Sequence, residues 1–111
     1  MTELIPWTPE WKKAELKAAR IVSAEEIPGK GRLYSLKISL GPEERQIVAG
    51  IRPFYSAEEL KGKSIVVVSN LEPATIAGIK SEAMLLAAKS PEGSYKLVEV
   101  DSSVEPGTQI E

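Results

Sequence analysis

Pro and Gly divide this 111-residue chain at short intervals. Pro28-Gly29, Gly41-Pro42, Pro73 with Gly78, Pro91 with Gly93 and Pro106-Gly107 each mark a turn or loop. Pro fixes φ and has no N–H to donate, and Gly reaches backbone angles that other residues avoid. Most segments between these breaks are about ten residues long or shorter, and they carry strand signals. Leu36, Ile38 and Leu40 alternate with Ser35, Lys37 and Ser39, which gives one apolar and one polar face. Arg45 to Ile51 continues the pattern, with Ile47 and Ala49 opposite Gln46 and Val48. Ile65-Val66-Val67-Val68, within Ser64 to Ser69, is a continuous β-branched run that fits a strand buried on both faces. Glu15 to Ile27 is a strand whose imperfect alternation at Leu16, Ala18, Ile21 and Val22 predicts a bulge or strong curvature.

Two further strands are expected, at Glu82 to Ala88 and Tyr95 to Val100, with Asn70 to Lys80 as a loop. Only two short helices fit. Thr8-Pro9-Glu10-Trp11 opens one that ends near Lys13, and Trp7 and Trp11 are expected to cover an end of the core. Ser56-Ala57-Glu58-Glu59-Leu60 opens the other with a capping box, and Gly62 closes it. The chain therefore reads as one all-β domain spanning residues 1–111. A short helix between the third and fourth strands makes the specific expectation an OB-fold, a five-stranded Greek-key barrel with a C-terminal strand extension. The expected divisions are an N-terminal extension at 1–13, the barrel at 14–90, and a C-terminal extension at 91–111 as the candidate dimer region.

Two missing residue types restrict the chemistry. With no Cys there is no thiolate nucleophile, disulfide or Cys-ligated metal, and with no His the usual general base near neutral pH is gone. Carboxylates such as Glu25/Glu26, Glu58/Glu59 and Asp101 have no partner base nearby in the sequence, so no catalytic role, cofactor or metal is expected. No apolar run approaches the ~20 residues of a membrane span, and Met1 to Pro9 lacks the pattern of a signal peptide, so the expected location is cytoplasmic.

Formal net charge is −2, but the charge is unevenly placed. Residues 12–89 hold 13 basic and 9 acidic side chains, whereas the two flanks hold Lys96 against 7 acids. A positive surface assembled by folding, with the acidic flanks kept away from it, points to a polyanionic partner. The candidates by position are Lys17 and Arg20 on the first strand, Lys30 and Arg32 in the first loop, and Lys37 on the second strand. Arg45 and Arg52 flank the third strand, and Lys80 and Lys89 lie around the fifth. Tyr34, Phe54 and Tyr55 are placed either to stack on bases or to plug the barrel. Aromatic residues are only 5% of the chain, which favours a folded RNA over indiscriminate single-strand binding.

Several segments together carry a family likeness. They include Arg32-Leu33-Tyr34, the run from Glu44 through Arg52-Pro53-Phe54-Tyr55 to Leu60, Asn70-Leu71-Glu72-Pro73, Ser81 with Met84, and Pro106-Gly107. In these the chain resembles the tRNA-binding domain appended to methionyl-tRNA synthetase C-termini, also found as a free-standing protein. The resemblance implies an OB-fold that binds folded tRNA without catalysis, a homodimer when the module stands alone, and methionyl-tRNA synthetase as a candidate partner. It also adds Asn70, Ser81 and Met84 to the expected tRNA contacts. The chain departs from the family pattern at Ala83 where Gly is usual, at Leu16-Lys17-Ala18, and at Pro28-Gly29-Lys30-Gly31-Arg32. Two other roles fit the same residues: a protein-interaction module for synthetase assembly using Trp7, Trp11 and the acidic ends, or a small chaperone-like β-barrel.

Overall fold

The computed structural model describes residues 2–6 and 13–111. The helix expected from Thr8, and the expected placement of Trp7 and Trp11, lie outside the described residues. Ten strands and one helix follow in chain order: β1 (Leu16–Ile27), β2 (Lys30–Ser39), β3 (Glu44–Ala49), α1 (Ala57–Leu60), β4 (Ser64–Val68), β5 (Ala74–Ile76), β6 (Ile79–Ser81), β7 (Met84–Leu85), β8 (Ala87–Lys89), β9 (Tyr95–Leu97) and β10 (Gln109–Ile110). The fold is all-β. Among the described residues no helix is long and apolar enough to cross a membrane.

The main sheet runs β3-β2-β1-β4-β7, with β10 also paired to β1. Strand β1 joins it together. Its first half, Leu16 to Arg20, pairs with β4 from Val68 to Ser64, and its second half, from Arg20, pairs with β2. The register shifts between Ile21 and Ser23, at the position where the sequence lost its alternation. This irregularity turns the strand so that each half serves a different neighbour. Beyond β3, Glu82 N donates to Gln46 O at 2.9 Å, so the far edge of β3 meets the chain between β6 and β7.

The core fills the concave side of this sheet. Ile21, Leu36, Ile38, Ile47, Leu60, Ile65 and Val67 are its largest fully buried side chains. They come from the apolar phase of β1, β2 and β3, from one end of α1, and from β4, all of whose residues are buried. Helix α1 plugs one end with Leu60. Its capping box is complete: Glu59 N donates to Ser56 Oγ at 3.2 Å, and Ser56 N donates to Glu59 Oε1 at 2.6 Å. Tyr34 Oη donates to Tyr55 O at 2.7 Å, and Tyr55 Oη accepts from Leu97 N at 2.9 Å. These two phenols serve the packing of β2 against β9.

Three segments differ from the sequence expectation. Asn70 to Lys80 contains the β5–β6 hairpin, closed by Ala77 (φ 52°) and Gly78 (φ 79°). A two-residue turn with both φ values positive normally carries Asn or Asp at its first position, and Ala gave no such signal. The expected strand Glu82 to Ala88 is divided at Leu86, whose N–H donates to Val66 O while its carbonyl accepts from Val98 N. The expected strand Tyr95 to Val100 contributes β9 to the pairing with β8, then a single bridge between Glu99 and Ile65.

The C-terminal segment returns to the start of β1. Leu16 pairs with Ile110, Ala18 N donates to Thr108 O at 2.8 Å, and Gly107 N donates to Ala18 O at 2.7 Å. At Gly107, φ is +91° and a Cβ would stand 2.2 Å from Leu40 O, a backbone atom that cannot swing away. Gly29 has φ +75° but open space around it. Gly29→Ala should therefore cost about 1 kcal/mol, the left-handed backbone penalty alone. Gly107→Ala adds a steric overlap and should cost at least about 2 kcal/mol more. Urea unfolding of the two variants measures the difference.

Candidate functional site

The polar phase of β1, β2 and β3 faces outward. Lys37 stands on this face between Ser23 of β1 and Gln46 of β3, and Ser35 lies one pair further along, opposite Val48. Gln46 Nε2 donates to Ser35 Oγ at 3.0 Å. With Glu25 these side chains line a shallow groove of about 260 Å³. It offers an exposed ammonium flanked by hydroxyl and amide groups, a set able to meet a phosphate and a ribose hydroxyl together. Glu25, Glu44 and Glu82 border the same face, so it is mixed in charge and favours oriented contacts over uniform attraction.

At the outer edge of β3, Ser81 is buried and bonded both ways: its Oγ accepts from Val48 N at 3.0 Å and donates to Ala83 O at 3.1 Å. Ser81 thus fixes β6 against β3 and brings exposed Lys80 and Met84 to that edge. Met84 is 51% exposed and shares a small apolar depression of about 160 Å³ with Val48, Leu71 and Ile76.

A second group of cations stands at the other end of β2, five residues from Lys37 or roughly 17 Å along the strand. Arg52 pairs with Glu26 Oε2 at 3.2 Å and donates to Lys30 O at 2.9 Å, which ties the β1–β2 turn to the chain after β3. Lys30 and Arg32, expected in a loop, are instead exposed on the first residues of β2, because Lys30 already pairs with Ile27 across the turn. Lys89, opposite Tyr95 in the β8–β9 pair, holds its Nζ 6.0 Å from the Tyr95 ring centroid. Among the described residues no carboxylate pairs with Lys30, Arg32, Lys37, Lys80 or Lys89.

The remaining expected contacts are engaged within the fold. Arg20 donates from Nε to Ser64 Oγ at 3.1 Å and from Nη2 to Ser102 O at 3.1 Å, clasping the C-terminal segment. Arg45 donates to Ser69 O and Glu82 O and pairs with Glu43 at 2.9 Å. Asn70 accepts from Glu15 N at 2.7 Å and donates to Lys13 O, joining the entry of β1 to the exit of β4. Lys17 is half-buried on β1, opposite Val67 and Gln109. The structure thus places Lys37 on the outward sheet face and Lys30, Arg32 and Lys89 near the other end of β2, and leaves Lys17 apart from both. Sequence reasoning passed over Gln46, Ser23 and Tyr95 as site residues. Pairing Lys89 with Tyr95 across the Ser90-Pro91-Glu92-Gly93 turn was the signal that could have found Tyr95.

Among the described residues no cluster of carboxylates could hold a metal ion. Three exposed carboxyl groups are held below their usual range by hydrogen bonds: Glu43 chiefly by Arg45, Glu92 by its own backbone N–H with Ser90 and Ser94, and Asp101 by Ser103.

A family model described as "Putative tRNA binding domain" matches residues 16–109. Methionine–tRNA ligase of Thermotoga maritima is 48% identical over 101 residues, which cover 91% of this chain and 16% of the ligase. The ligase of Methanocaldococcus jannaschii is 41% identical over 99 residues, 89% of this chain and 15% of the ligase. This chain therefore spans less than one fifth of the length of those relatives. Among solved structures, a MetRS-related protein from Pyrococcus horikoshii superposes with TM-score 0.92 at 34% identity, covering 99% of this chain and 100% of that one. Chaperone CsaA from Bacillus anthracis gives TM-score 0.87 at 28% identity, covering 98% of this chain and 100% of that one.

Two outcomes are expected from this geometry. Ser81→Ala leaves the half-buried Val48 N–H without its partner, which should cost about 1 kcal/mol in urea unfolding and raise amide exchange at Val48. The lowered carboxyl groups contribute stability that is present above their unfolded pKa and lost as pH falls through the folded one. With no His in the chain, the thermal midpoint should stay flat between pH 6 and 8 and fall below about pH 4. Circular dichroism melts across that range test the profile.

Proposed function

This chain belongs to the tRNA-binding domain family, and from that premise we propose that it binds folded tRNA without catalysing a reaction. The observation that carries the reading is the combination of a family match over residues 16–109 with an outward sheet face that presents Lys37, Ser23, Ser35 and Gln46. Phosphate contacts from the unpaired cations set orientation, while hydroxyl and amide groups reach ribose and base edges. Arg20, Arg45, Asn70 and Ser81 act mainly by holding the strands that carry the contacts, and Lys17 and Arg52 frame them.

The fold supporting this role is, in our reading, an OB-fold Greek-key barrel. The sheet order β3-β2-β1-β4-β7 and the Glu82-to-Gln46 bond at the outer edge of β3 support it. The proposed setting is the cytoplasm, beside or within methionine–tRNA ligase, with which the matched relatives share this segment. On its own the domain works as a homodimer. Residues 91–111 are the proposed dimer region, and Leu4 and Ile5, 90% and 76% exposed in the segment ahead of β1, add apolar surface for a second copy to cover. A second reading, a chaperone-like client binder, is favoured by the likeness to CsaA and by the exposed apolar depression around Met84.

Binding of intact tRNA and of an unstructured oligonucleotide of the same length, titrated over salt, separates these readings. The expected result is salt-sensitive binding of tRNA that is at least about tenfold tighter than oligonucleotide binding. Lys37→Ala should lower tRNA affinity and reduce the slope of log K against log salt by about 0.7–0.9. Equal binding of both RNAs, or protection of a denatured client with no tRNA binding, would remove the tRNA reading.

A further inference from the structure

The end of the molecule where the β1–β2 turn approaches the β8–β9 hairpin carries an aromatic and basic cleft apart from the Lys37 groove. One lobe, about 440 Å³, is lined by Arg32, Gly50, Ile51, Leu85, Ala87 and Tyr95. A neighbouring lobe of about 410 Å³ is formed by Gly29, the start of β2 from Lys30 to Leu33, and Gly50. Arg32 and Gly50 belong to both, so the two lobes adjoin. Each is of the size that takes a small organic group.

The lining is divided by chemistry. Ile51, Leu85 and Ala87 give an apolar wall, and Tyr95 adds an aromatic ring steadied by Phe54, with centroids 5.6 Å apart and a 58° tilt. Lys30, Arg32 and Lys89 stand around it without carboxylate partners among the described residues. Gly50 has room for a side chain: a Cβ there would meet only Arg32 O and Leu33 Cδ2, both at 3.9 Å, so a larger residue can be built into the space. A flat π-surface beside two or three cations matches a ligand that is flat at one end and anionic at the other. A wholly apolar peptide would leave the cations unused, and a paired RNA helix cannot present the face of a base.

We propose that this cleft holds one unstacked nucleotide of a bound tRNA, its base against Tyr95 and its flanking phosphates on Arg32 and Lys89. The proposal rests on the tRNA-binding reading and adds to it a stacking subsite outside the sheet face. It makes the domain selective for RNAs that combine paired stems with an unpaired residue at a fixed distance.

The test uses the full chain labelled with fluorotyrosine, which reports separately on Tyr34, Tyr55 and Tyr95. Added tRNA should shift the Tyr95 resonance, and a fully paired RNA duplex should not. Tyr95→Leu should weaken tRNA binding by about 5- to 100-fold, and Tyr95→Phe should stay within about twofold of the parent. Gly50→Leu fills the cleft while leaving both rings of the Tyr95–Phe54 pair in the sequence, and should weaken binding at least about fivefold with its melting midpoint little changed. Suppose the parent binds tRNA and Lys37→Ala weakens it, while Tyr95 stays unshifted and Gly50→Leu is neutral. The stacking subsite is then overturned and the tRNA reading stands. Absence of tRNA binding by the parent overturns both. A Tyr95 shift with the paired duplex, or with a denatured polypeptide and not with tRNA, overturns the single-nucleotide assignment.

Discussion

The structure depends on the hydrogen bonding of one strand. Of the twelve residues of β1, Leu16 to Arg20 meet β4 along one edge, while the other edge is shared between β10 at Leu16 and Lys17 and β2 from Arg20 onward. Between these two partners Ala18 would have an open edge, and Gly107 N and Thr108 O close it. An unpaired backbone group at a buried residue costs about 1–3 kcal/mol, so the C-terminal segment is held where it is by the demands of β1. The irregularity near Val22 marks where β1 passes from β4 to β2, with the polar residues of β2 and β3 on one side of the sheet and the core on the other.

The regular part of this arrangement was legible in the sequence because its signals are local. The capping box at Ser56 needs only Ser and Glu three residues apart, and the β-branched run at Ile65 to Val68 states its own burial. The β5–β6 hairpin was hidden because Ala77 takes a positive φ without the residue type that announces one. The break at Leu86 was hidden for another reason. Its two backbone partners, Val66 and Val98, belong to distant segments, so the change of pairing is a tertiary event with no local cause.

For the site, residue types were legible and their engagements were not. Arg20, Arg45 and Asn70 look in sequence like free polar groups, but the carbonyls and hydroxyl that bind them come from residues 44, 24 and 57 positions away. The acids that border Lys37 arrive from three different strands or loops, so the charge balance over residues 12–89 did not reveal a mixed face. Tyr95 drew no notice because its neighbours in the sequence form an ordinary turn. Its meaning comes from Arg32 and Gly50 on the other side of the cleft.

The pairing of Leu16 with Ile110 has a kinetic side. The first strand cannot be satisfied along its whole length until residues Gly107 to Ile110, about ninety positions later, have been made. On a translating ribosome the early hairpins are free to collapse, while the edge beside Ala18 stays open and adhesive until Gly107 and Thr108 have left the exit tunnel. With so much of its pairing between distant positions, the domain should fold late and slowly for its size.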